Sequence, residues 1–229
     1  MSVQPISPTS VVSRVWDLYK DQFSVLVGTA TCLYALQFVI YLLLPGAAGF
    51  ALAILFWALS ILYQGMVVKL VQDVQDGRRD NSIGDLVRSV EPVFWPLVAV
   101  SILFGLAVGL GFILLIIPGL FLLVIWSVVA PVTVLERPGP FHAFRRSRAL
   151  VRGNGWNVFG VIVLVFLTVV VVSVAAGIAA ESLGAVGRSL VQWAVNAALA
   201  PVTALSASVL YFALREPQAD SLGSSPARV

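Results

Sequence analysis

The chain has 229 residues, 59% of them hydrophobic and 11% charged, with a formal net charge of +3 and a mean hydropathy of +0.98. A soluble domain carries about 25% charged residues, so there are too few charges here to coat a water-soluble globule, and the recurring apolar stretches leave no segment for a separate soluble module. The lone cysteine, Cys32, excludes an intramolecular disulfide and a thiolate metal site, and the lone histidine, His142, gives a metal no second imidazole.

In chain order, residues 1–9 read as a disordered leader, and polar and charged residues continue to Asp21, so no apolar core stands at signal-peptide distance. Six stretches then meet the roughly 20 apolar residues that a helix needs to cross about 30 Å of hydrocarbon: about 24–44, 47–71, 94–116, 118–135, 156–180 and 190–214. Barrel strands are excluded, because the runs are too long and do not alternate. The fold class expected is all-α, a polytopic membrane domain over 10–215 with a disordered cytoplasmic tail at 216–229.

The fourth stretch is the shortest. Either Pro118 and Gly119 lengthen it, with Pro118 in a first helical turn, or Ile117-Pro118-Gly119 forms a turn that dips below the far surface. All of the 14 basic residues except Arg188 fall at the N-terminus, in the second and fourth connections, or in the tail. By the positive-inside rule both termini are cytoplasmic.

Before each odd-numbered span lies an amphipathic segment that ends on an aromatic: 10–23 on Phe23, 82–95 on Trp95, and 143–156 on Trp156. Their apolar residues recur at helical spacing. Each predicts a helix lying in the headgroup region, with Phe23, Trp95 and Trp156 as interface anchors. The spans thus group into three pairs, each preceded by an amphipathic interfacial helix. A plainer reading is that any loop entering a membrane carries basic residues and a terminal aromatic.

Chemistry-bearing residues are sparse. The span cores contain no Asp, Glu, Lys, Arg or His, which disfavours carboxylate-coupled transport. Pro131 in the fourth span, with Asn196, Pro201, Thr203 and Ser206 in the sixth, marks two kinked helices that could line a cavity, or simply kink and hydrogen-bond between helices. Gly105-Leu-Ala-Val-Gly109 permits close helix packing, within the chain or in a homo-oligomer or other membrane-protein complex. Arg145, Arg148 and Arg152 share one helical face and could meet an anionic lipid headgroup, or serve topology alone. No nucleotide loop, zinc pair or nucleophile elbow occurs, and no cofactor, nucleic-acid partner or catalytic residue is expected.

The run Ile117-Pro118-Gly119, Trp126, Pro131, Glu136, Ala143, Arg146-Ser147, Leu150-Val151 and Trp156 resembles the signature of bacterial membrane proteins related to the membrane domain of glycerophosphodiester phosphodiesterases. Gly77-Arg78 and the stretch from Tyr211 to Arg215 are similar to further marks of that family, and the likeness covers most of 10–215. It implies a helical membrane domain with interfacial helices and an unassigned role. The catalytic barrel found fused to some members is absent, so no phosphodiesterase activity is implied. Two functions compete: a non-enzymatic component organising lipids or partner proteins, and a carrier or binder of a lipid-like or small uncharged solute between the helix pairs. A cavity lined by Asn196 and Ser206 would favour the second.

Overall fold

The structure is a computed structural model that describes residues 7–43, 47–77 and 83–223, with side chains over 7–37, 52–77, 84–184 and 186–215. Among these residues the chain is helical apart from short connections, and no strand occurs. The helices are α1 (Pro8–Asp21), α2 (Phe23–Leu43), α3 (Ala47–Gln75), α4 (Ile83–Val90), α5 (Phe94–Leu114), α6 (Ile116–Ile125), α7 (Val129–Glu136), α8 (Pro140–Val151), α9 (Gly155–Ala179) and α10 (Gly184–Gly223). Single 3-10 turns over Glu91–Val93 and Glu181–Leu183 lead into α5 and α10. Runs of Val and Ile are weak helix formers in water, but in lipid the backbone must satisfy itself, and the helix does so whatever the side chains prefer.

Among the described residues five stretches are long and apolar enough to cross a membrane: Leu52–Gln75, Gly84–Leu114, Ile116–Glu136, Gly155–Ala179 and Val186–Arg215. A further helix, α2, is apolar over Phe23–Gln37. The protein is therefore a multi-pass helical membrane protein. Its exterior fits that environment, since Ile113, Ile117, Phe166 and Val171 are 81%, 79%, 64% and 63% exposed. Water does not tolerate so continuous an apolar surface on a monomer.

The core gathers towards the end where α3, α7, α8 and α10 meet. Val67, Val71, Val128, Val132, Leu150, Tyr211 and Leu214 are all buried there. The three amphipathic segments are helical but do not leave their apolar faces to the headgroups. In α1, Val11, Val15 and Tyr19 are buried, and the helix packs on α9 and α10. Leu86 and Val90 of α4 turn to α3, where Gly65 makes room: a Cβ there would lie 2.6 Å from Val90 Cγ1. A hydrophobic face gains as much against a helix bundle as against lipid, and the bundle also fixes its position.

Several boundaries differ from expectation. α1 begins at Pro8, inside the expected leader, because the Ser7 hydroxyl accepts from Ser10 N at 3.2 Å and Pro8 takes the first helical position, which needs no donor. At the other end α10 runs past Arg215 to Gly223, since extending an existing helix needs no new nucleus. The fourth span covers the 21 residues of Ile116–Glu136, broken between α6 and α7 at Trp126, Ser127 and Val128.

Of the two readings of the Pro-Gly pair, the structure has the one in which it lengthens the fourth span, and the turn between α5 and α6 comes before it. That turn is the single extended residue Leu115 (φ −164°, ψ 151°), and Pro118 and Gly119 lie in the first turn of α6. There Pro118 sits where the helix lacks an internal acceptor for an N–H anyway. Gly119 instead serves packing: a Cβ on Gly111 would lie 2.9 Å from Gly119 Cα, and one on Gly119 would lie 2.6 Å from the Phe112 ring. Gly105 and Gly109, the pair expected to pack, have no described atom within 4 Å of such a Cβ, because that face of α5 points outward.

Candidate functional site

The densest polar arrangement surrounds α8. Arg137 closes α7 in the left-handed region (φ 52°, ψ 42°), Gly139 turns the chain at φ 78°, and Pro140 opens α8. Ala143, Ser147, Leu150 and Val151 form the buried face. The other face carries Arg145 and Arg148, with Arg152 at the C-cap just past the helix, all three exposed, and the exposed Phe141 stands at the start of the helix. No ion-pair partner of these three arginines occurs among the described residues.

The inner face is latched at three points. At the break in the fourth span, Val129 N donates to Trp126 O (3.1 Å), so Ile125 O loses its usual helical donor. The Ser147 hydroxyl, fully buried, donates to that carbonyl at 3.0 Å. Pro131 lies just beyond and has no N–H, which deprives the Ser127 carbonyl in the same way. Arg146 Nε donates to both oxygens of Glu136, at 2.9 and 3.2 Å, and the Tyr211 hydroxyl donates to Glu136 Oε1 at 2.9 Å. The Phe144 ring meets Trp126 edge-on, with centroids 4.8 Å apart. Helices α7, α8 and α10 thus share one carboxylate, and α8 is held at fixed rotation with its two other arginines turned outward.

Glu136, Arg146, Ser147 and Tyr211 appeared in the sequence only as marks of resemblance, and Pro131 also as a cavity candidate. Their union is a tertiary fact: Tyr211 lies 75 residues from Glu136, and no periodicity connects them.

The five cavity candidates do not share one lining. Asn196 and Thr203 are exposed, whereas Pro131, Pro201 and Ser206 are buried. Thr203 donates to Ala200 O (3.0 Å) and Ser206 to Val202 O (2.6 Å), each within α10, and Gln192 Nε2 donates to Asn196 Oδ1 (3.4 Å). α10 runs unbroken through Pro201, and the Tyr19 hydroxyl donates to Ala198 O at 3.2 Å, one residue beyond the Ala197 carbonyl that proline leaves without its helical donor. Burial pushes the Tyr19 phenol above its ordinary pKa, which keeps it the protonated donor. α1 thus packs a buried donor against α10 one turn before Pro201.

The anchor candidates stand at helix starts. Phe23 opens α2, Trp95 is in the first turn of α5 and Trp156 in that of α9, and they are 52%, 75% and 86% exposed. Among the described residues no three of His, Cys, Asp and Glu gather to hold a metal.

Fold and site together define a multi-pass helical membrane protein with a latched amphipathic helix at one end of its bundle. Over 95 residues, 42% of this chain, it is 34% identical to a UPF0259 membrane protein of Pectobacterium carotovorum subsp. carotovorum. The match spans 38% of that relative's length. It supports likeness to a bacterial membrane protein and lends no support to the likeness with glycerophosphodiester phosphodiesterases. No family model matches the chain, and no solved structure matches it.

Proposed function

We propose that the protein is a non-enzymatic component of the bacterial cytoplasmic membrane, with six crossings and both termini cytoplasmic, that organises anionic lipids through the outer face of α8. The observation that carries this reading is the division of arginines on and just after that helix: Arg146 is tied to Glu136, while Arg145 and Arg148 on another face and Arg152 at the C-cap are exposed. Three flexible cations on and just after a fixed helix present a positive surface without the entropy of ordering the backbone beneath them. Near an anionic leaflet each basic residue contributes about 1 kcal/mol. Phe141 and Trp156, exposed at the starts of α8 and α9, supply apolar contact beside the charges.

The test is native mass spectrometry of detergent-released protein, with bound lipids identified, on the unchanged chain and on Arg145→Ala, Arg148→Ala and Arg152→Ala combined. Retention of anionic phospholipid should fall by about tenfold or more in the triple variant. It should also weaken as ionic strength rises, because surface charges are screened beyond about 10 Å at 0.1 M salt. Equal retention by both proteins would remove the headgroup role and leave these arginines as topology signals.

A further inference from the structure

On another part of the bundle, a groove of 590 Å³ runs between α2 and α3 and reaches Val87 on α4. Its origin is legible in side-chain size. Ser24, Gly28 and Cys32 stand four residues apart along one line of α2, facing Leu59, Leu62 and Met66 of α3. A row of small side chains leaves that strip of α2 shallow, and where the large side chains of α3 do not fill it a groove remains.

Two of the polar groups in the wall are already occupied. Thr29 Oγ1 donates to Val25 O (2.6 Å), and the Tyr63 hydroxyl donates to Leu26 O (3.1 Å). A polar solute would shed its hydration there and find few partners in return. A hydrocarbon chain arriving from the bilayer loses no hydration at all. The length also discriminates: Ser24 to Leu36 along α2 is about 18 Å at 1.5 Å per residue, close to half of the ~30 Å hydrocarbon thickness. Ser24, Met66 and Val87 mark one end of the groove, and the exposed Arg88 follows Val87 in sequence on α4.

We propose that this groove holds one acyl chain of a bilayer phospholipid, a site distinct from the arginine face of α8 and independent of it. Gly28 offers the test, since a Cβ built there meets no described atom within 4 Å and a larger side chain would project into open groove space. The full-length protein is reconstituted in vesicles containing a phospholipid with a photoreactive diazirine midway along one chain, irradiated, digested and mapped. Adducts should concentrate on the peptides holding Cys32 and Met66, and Gly28→Phe should reduce them about tenfold. The α8 triple variant should leave them unchanged, so failure of the headgroup reading and failure of this one are separable. If the labelling of the unchanged chain spreads evenly over lipid-facing helices such as α9, or if Gly28→Phe folds and is labelled equally, the groove is ordinary bilayer contact and the proposal is overturned. Mapping the unchanged chain decides the matter even where Gly28→Phe does not fold.

Discussion

Glu136 accepts hydrogen bonds from Arg146 and Tyr211, and the consequences of losing each partner differ with exposure. The Arg146 side chain is 37% exposed and that of Glu136 26%, so water and salt replace much of the ion pair, and Arg146→Ala should destabilise by about 1 kcal/mol or less. Tyr211 is fully buried, and Tyr211→Phe removes only a hydroxyl, for about 1 kcal/mol. Ser147→Ala should exceed both, at about 1–3 kcal/mol, because it leaves the Ile125 carbonyl with no donor inside the bundle. Thermal melting in detergent ranks the three. If Arg146→Ala proves the most damaging, the ion pair rather than the filled helix break holds α8. The sequence marked these residues without relating them, since the partners of a carboxylate are set by which helices come together.

At the scale of elements, glycine spacing and glycine packing diverge. Gly105 and Gly109 have the spacing of a packing motif, yet the close contact falls on Gly111 and Gly119 across the hairpin of α5 and α6. Gly111→Val should therefore destabilise by about 1–3 kcal/mol through overpacking, while Gly105→Val should stay within about 0.5 kcal/mol. Equal effects in the same melting assay would contradict the hairpin geometry. The amphipathic segments carry a similar lesson. Periodicity in the sequence located all three helices, but it does not say whether an apolar face meets lipid or protein. Val11 and Val15 on α9 and α10, and Leu150 and Val151 beneath α8, show protein as the partner.

Topology is a property of the whole molecule, and the charge distribution predicts it. Ser13 and Ser182 are both exposed, on α1 and between α9 and α10. In a Cys32→Ser background, a thiol at Ser182→Cys should react with a membrane-impermeant maleimide in intact spheroplasts, and one at Ser13→Cys only after lysis. Reaction of both from the same side would overturn the count of six crossings, since an even number returns the chain to its starting face.

Membrane placement and helicity were decided by the sequence alone. Each window of about 20 residues partitions into lipid according to its own composition, without reference to its neighbours in space. Tertiary structure alone decided which glycines touch, that the amphipathic helices dock on the bundle, that Ser147 fills the break ahead of Pro131, and that a groove opens beside Gly28. The reason is physical. In lipid an apolar side chain is equally at home against hydrocarbon or another helix, so hydropathy is silent about which face turns inward, and shape and a few hydrogen bonds make the choice.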